Sequence, residues 1–366
     1  EPEQQGERRV NLHLPGAAAM VDVGFHAPPA SHPDFVPLVV ASALLSGGGA
    51  IYSLGSGQTR SSRLYRALVE AELASSVDSD YSPSHDPYLF SLGATVRQGI
   101  DPQAVEQALL QQVQRLQDSP ATADELAVAI RQTEAQFAYS SESVTSQALT
   151  LGMAEMVDSA QRLETIIDEL RHVTPDDVMR VSRTYLAPAR RTIGWHIPEE
   201  GAPGGAASGY VPGYRKRTWG YQSQPSAPVP SSVTRHTFDN GITVLLQPRQ
   251  TSAAVSIEGT LPFGAFLDQE STLGITHLVS SMLRRGTLTR SFQQINATLD
   301  SVGASLALWA GRDELSIAER CLGDDLGMLI EIMADMLQAP AFPEIELRRL
   351  RGQLLTQMAE MERDTG

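Results

Sequence analysis

Residues 198–232 constrain this chain more than any other stretch. They are dense in glycine, proline and serine and carry no apolar period; glycine loosens such a path and proline stiffens it. Neither helix nor strand can run through them, so the chain is expected to divide into two units, residues 1–197 and 233–366. The length of 366 residues agrees, because it exceeds what one hydrophobic core usually sustains. Tyr210, Tyr214, Trp219 and Tyr221 punctuate the stretch, and freely solvated coil is poor in aromatics. A linker laid against a domain surface is the expectation.

Both units read as strands followed by helices. In the first, residues 9–14 and 17–25 have strand character and 34–45 form a buried helix. Residues 61–74 carry Leu64, Tyr65, Leu68 and Leu73 on a serine-capped helical pattern. Residues 77–81 and 88–96 read as a hairpin, and 101–117, 122–140 and 160–172 follow with helical period. A further helix over 174–186 opens with Thr174-Pro175-Asp176-Asp177, a cap with proline at the first helical position. Residues 190–196 close the unit as a strand. In the second unit, Asp239-Asn240-Gly241 turns 235–238 onto 242–247, and 254–263 is a third strand. Helices are expected at 272–285, 291–302, 323–338 and 343–363, with strands at 305–309 and 314–319. Grouped strands and helices predict an α+β class with helices on one face of each sheet. The second unit lacks a closing strand and is expected to be truncated, with both ends of the chain read as cut edges of a longer polypeptide.

Charge and composition exclude several classes. A net charge of -15 argues against nucleic acid, which requires concentrated Lys and Arg. Cys321, the lone cysteine, cannot form an internal disulfide. The longest apolar run, residues 35–45, is short and contains Pro37, so no membrane span is expected. Nothing here fixes a cellular compartment.

Residues 274–287, GITHLVSSMLRRGT, come close to a zinc site and miss it. An inverted signature, His-x-x-Glu-His, places two imidazoles one helical turn apart, with a glutamate to deprotonate bound water. Here those places hold His277, Ser280 and Ser281. Hydroxyls neither replace imidazole on Zn²⁺ nor act as bases near neutral pH. None of the eight histidines has another three or four residues away, so His277 reads as a structural or capping residue. His85-Asp86 reads as turn chemistry. The glycine-rich run 46–57 lacks the Lys-Ser/Thr ending of a phosphate loop and reads as a flexible insertion. Asp313, Glu314, Glu360 and Glu362 read as solvated charge. Methionines 153, 156, 328, 333, 336 and 358 read as core.

The wording of several segments resembles the pitrilysin/insulinase family of zinc metallopeptidases. Ser62-Arg63-Leu64-Tyr65, with the helix through Leu73 and the strand after it, is similar to that family's Ser-Arg-Leu helix. Asp239-Asn240-Gly241-Ile242-Thr243-Val244, then Leu273-Gly274-Ile275-Thr276-His277, then Arg285-Gly286-Thr287 resemble the opening of its zinc-bearing domain. The resemblance implies four α+β domains, two per half, closing like a clamshell on a peptide. Residues 1–197 would be domain two, a chamber wall; 198–232 the linker between halves; and 233–366 the start of domain three. It also implies that the family's third zinc ligand falls on Gln357, a poor ligand beside the carboxylate it replaces. The family's substrate-holding Arg and Tyr fall, with a one-residue gap, on Val69 and Ser75. The expectation is a segment with no catalytic, metal or substrate-binding residue and no cofactor of its own. Zinc and the peptide substrate would belong to a full-length enzyme, supplied by amino-terminal and carboxy-terminal domains missing here. The alternative is a catalytically inactive scaffold or partner subunit of a peptidase-like complex.

Overall fold

The computed structural model describes residues 4–14, 18–49, 51–52, 59–140, 142–198, 233–248 and 253–363. The expected linker from residue 199 to 232, with its four aromatics, lies outside the described residues, as do residues 53–58 of the glycine-rich run.

The first unit is built on five strands: β1 (Arg8–Leu14), β2 (Met20–Ala27), β3 (Ala74–Asp80), β4 (Tyr88–Val96) and β5 (Arg191–Pro198). Their order across the sheet is β1-β5-β2-β4-β3. The last strand enters the sheet between the first two, parallel to β1 and antiparallel to β2. On β2, Val21, Val23 and Phe25 alternate onto one face and are fully buried; on β4, Phe90 and Leu92 do the same. Period-two alternation of this kind directs one face of a sheet at helices. The helix it meets, α1 (Phe35–Ser46), is buried nearly all round, so it shows no polar stripe. Pro37 sits in its first turn, where the missing N–H has no intrahelical partner to lose.

Around α1 stand α2 (Pro102–Asp118), α3 (Ala123–Ser140), α4 (Val144–Val157), α5 (Ile166–Arg171) and α6 (Pro175–Tyr185). The start of α6 is the capping box its sequence announces, with Thr174 and Asp177 bonding each other's backbone N–H. The expected helix over 61–74 is shorter. It becomes a π-helix at Tyr65–Val69, Leu73 N–H reaches back to the Leu68 carbonyl at 2.8 Å, and Glu72 takes φ 63°. That left-handed residue stops the helix, and Ala74 already belongs to β3. The expected helix over 160–172 divides into a 3₁₀ turn, Ala160–Glu164, and α5.

The second unit has a three-stranded antiparallel sheet, β8-β10-β9, made of β8 (Ala254–Leu261), β9 (Ser305–Ala310) and β10 (Leu315–Leu322). The hairpin β6 (Thr234–Thr237) and β7 (Thr243–Leu246) forms its own two-stranded ladder, turned by Gly241 at φ 88°. Helices α7 (Ile275–Leu283), α8 (Phe292–Ser301), α9 (Leu326–Gln338) and α10 (Glu344–Arg363) complete it. Leu306, Ile317, Cys321, Leu329, Ile332 and Met336 meet in its core. Met336 is buried as expected, but Met156 and Met358 are 72% and 54% exposed. One charged residue shares the core face of β10: Glu319 is 3% exposed, and neither carboxylate oxygen has a partner among the described residues.

The two units pack along α3. Tyr139 donates its hydroxyl hydrogen to the Gly303 carbonyl at 3.0 Å, Arg131 pairs with Asp325 at 3.3 Å, and Gln132 Nε2 donates to the Asp300 carbonyl at 3.0 Å. Gly303, at φ 67°, is needed there twice over, since a Cβ would lie 2.5 Å from that of Ala135. The start of the glycine-rich run is no flexible insertion. Gly48 N–H donates to Gln132 Oε1 at 2.9 Å, and an added Cβ would stand 2.6 Å from Gln132. Among the described residues, no helix is long and apolar enough to cross a membrane.

Candidate functional site

The segment that resembles a zinc signature folds into α7, and its start is held from outside the helix. Asp268 accepts from Gly274 N–H at 2.7 Å, from Thr276 N–H at 3.1 Å and from the Thr276 hydroxyl. These contacts, the Thr276 hydroxyl first, hold its carboxyl below the usual range; an anion at a helix amino terminus also answers the unsatisfied N–H groups there. Gly274, at φ 88°, makes the bend into the helix.

The motif positions then diverge. His277 is exposed, Ser281 is half-buried, and Ser280 is fully buried. The Ser280 hydroxyl donates to the His277 carbonyl one turn back at 2.8 Å, which satisfies it inside the helix. Gln357, on α10, is exposed toward a cavity that His277, Ser280 and Ser281 do not line. Val69 is buried in the first unit's core. Ser75 lies where the β3–β4 register slips between Ala74 and Ser76. It is the extra residue of a bulge. Ser75 and Gln357 are therefore brought to one cavity, and the other four residues are not.

The Ser-Arg-Leu-Tyr segment divides its work among four side chains. Ser62 donates to the Thr59 carbonyl at 2.8 Å, Arg63 grips Glu125 on α3 through bonds of 3.1 and 2.9 Å, and Leu64 is fully buried. Tyr65 stands on the wall of the cavity with Ser75.

That cavity, of about 400 Å³, lies between this segment and α7, α8 and α10. Sequence reading missed its charged wall: Arg60, Arg284, Arg285 and Asp300. Arg285 reaches Glu346 at 3.2 Å and Gln353 at 2.7 Å, while its Nε is buried without a partner among the described residues. Arg60 and Arg285 both lie over the Phe292 ring, 5.6 and 5.5 Å from its centre. Asp300 accepts the Ser61 N–H at 3.0 Å. Burial is the largest influence on Asp300 and raises its pKa. Arg284 keeps some open surface, but on the cavity wall, with protein all around. Burial above all, then Arg60 and Arg285, push it down to about 9. The Arg284-Arg285 dipeptide was visible in the sequence; its meeting with Arg60, far off along the chain, was not. Among the described residues, no three His, Cys, Asp or Glu side chains stand close enough to share a metal ion.

Comparison with known proteins gives the following matches. Residues 1–133 match the family described as the Peptidase M16 inactive domain, and residues 243–365 match Insulinase (Peptidase family M16). The mitochondrial-processing peptidase beta subunit of Bos taurus is 29% identical over 185 residues, 50% of this chain and 37% of that protein. An uncharacterized zinc protease of Rickettsia bellii is 27% identical over 123 residues, 34% of this chain and 30% of that protein. Among solved structures, a protease from Helicobacter pylori is 25% identical with a TM-score of 0.49, covering 54% of this chain and 46% of that one. This chain spans well under half the length of these curated relatives.

Proposed function

From its membership of the pitrilysin/insulinase family of zinc metallopeptidases, in which this chain is a peptidase-like α+β segment, we infer a non-catalytic role within a larger peptidase. The whole protein would hydrolyse peptides with a zinc-activated water held elsewhere. Residues 1–197 would form a chamber wall as family domain two, 198–232 would join the halves, and 233–366 would begin a silent domain three.

The observation that carries this reading is the electrostatics around Gln357. A Zn²⁺ site concentrates imidazole and carboxylate ligands, whereas the cavity that Gln357 faces is lined by three guanidinium groups and one carboxylate. A dication entering it would meet like charge in a poorly screened space. Ser280 offers a hydroxyl already donated to a backbone carbonyl. The residues at the motif positions thus do not fit the metal the family uses. The match of residues 1–133 to an inactive-domain family supports the same reading for the first unit.

Mass-spectrometric metal analysis of the purified chain tests this, together with incubation against a mixed peptide library. Zinc well below one equivalent and no cleavage are expected; one tightly held zinc per chain refutes the reading. For the full-length protein, peptide cleavage abolished by a chelator separates an enzyme from the alternative of an inactive scaffold or partner subunit, which would cleave nothing.

A further inference from the structure

We propose that the cavity between the Arg60–Tyr65 segment and helices α7, α8 and α10 binds a small dianion, either a phosphate ester or a dicarboxylate. The inference rests on the cavity's own charges and stands whether or not the larger protein is a peptidase.

The wall carries three arginines, Arg60, Arg284 and Arg285, against one carboxylate, Asp300. Part of the negative charge is already engaged. Glu346, which lies behind Arg285, is shared with Arg349, while Asp300 accepts the Ser61 N–H and faces both Arg60 and Arg284. Among the described residues, no hydrogen bond or ion pair reaches the Arg284 side chain, whose favourable charge neighbour is Asp300, and Arg285 Nε is buried without an acceptor. Arg284 is left without a close anionic partner, and Arg285 has only the shared Glu346.

Such a surplus is costly, because buried charges are paired or solvated almost without exception. It is also out of character for this chain, whose net charge is -15. Elsewhere its arginines find carboxylates: Arg9, Arg180 and Arg290 are all held in their charged form by partners. Arg284 and Arg285 move the other way, with burial as the first cause and neighbouring arginines next. At neutral pH both remain cationic, so the cavity attracts an anion from solution.

Neutral groups make the cavity selective rather than merely positive. Gln353 turns its carbonyl oxygen to Arg285, which directs its Nε2 hydrogens away from that contact. Gln357 and Gln136 add side-chain amides that can donate to oxyanion oxygens. Arginine forks suit planar carboxylates and phosphates alike. A volume of about 400 Å³ lies within the range of small-molecule sites.

The test uses the full chain, titrated with inorganic phosphate and separately with succinate, each against sodium chloride at equal ionic strength. Calorimetry and thermal unfolding are read together. At least one ion is expected to give saturable heat and to raise the melting temperature by roughly 2–4 °C. Preference for phosphate identifies the phosphate-ester class and preference for succinate the dicarboxylate class. Arg284→Met, which keeps the stem and removes the charge, should bind at least tenfold more weakly and melt higher than the parent chain in chloride. Should that variant fail to fold, Gln353→Glu supplies an internal counter-charge beside Arg285 and should likewise weaken binding. The proposal is overturned if neither ion gives saturation beyond the chloride control, or if a folded variant of either kind binds as tightly as the parent.

Discussion

Replacing Glu319 by methionine should stabilise this protein, and by an amount that grows with pH. The carboxyl sits on the inward face of β10 with Ile317 and Cys321, both oxygens unpartnered among the described residues. Burial alone raises its pKa from 4.5 to about 7. The folded chain therefore holds a proton that the unfolded chain releases once pH passes 4.5. Between pH 4.5 and 7 the native state binds more protons than the unfolded state, so stability falls as pH rises and then levels off. The gap between those values corresponds to on the order of 3 kcal/mol at full effect. Methionine preserves the unbranched shape and removes the titration. Urea unfolding followed by circular dichroism, at pH 5 and pH 8 and one ionic strength, gives the difference between the two proteins; contributions common to both cancel. The variant should be more stable at both pH values, with its advantage wider at pH 8 by on the order of 2–3 kcal/mol. An advantage that does not change with pH, or that shrinks toward pH 8, refutes the reasoning.

Three further outcomes are expected. Gly48→Ala should lower stability by about 1–3 kcal/mol, because the new methyl group meets α3 backbone and side chain that cannot easily retreat; unchanged thermal unfolding contradicts the close approach. Cys321, fully buried and with its thiol pushed up to about 11, should resist iodoacetamide at pH 8 in the native protein and react fully in denaturant. Rapid native labelling would show the second core to be open. Thr174→Ala should cost about 1 kcal/mol through loss of the α6 cap, with Thr174→Ser restoring most of it in the same denaturation assay.

Elements with local signals were legible in the sequence. The Thr174 cap, the Asn240-Gly241 turn and the alternation along β4 each settle their structure within a few residues, and the α+β class follows from their order. Helix α4 escaped because Val144, Leu151 and Met156 are 80%, 52% and 72% exposed, so its apolar residues trace no single buried stripe. The helix end at Glu72 depends on a left-handed residue that no glycine advertises. Glu319 was missed because a strand pattern assigns alternate faces without saying which carries a charge. The cavity was illegible for another reason. Arg60, Arg284 and Gln357 come from three separate parts of the chain, and only the packing of α8 against α3 and of α10 against β3 brings them together.

The placement of β5 has a consequence for how the protein is made. As a nascent chain leaves the ribosome, residues 8–14 emerge well before the neighbour they bond to, residues 192–198. Until synthesis reaches that point, β1 has no ladder to join, and the β2 edge that β5 later covers stays open. The first unit must accordingly wait with an adhesive border exposed, which makes it a natural client for whatever shields unfinished sheets in the cell.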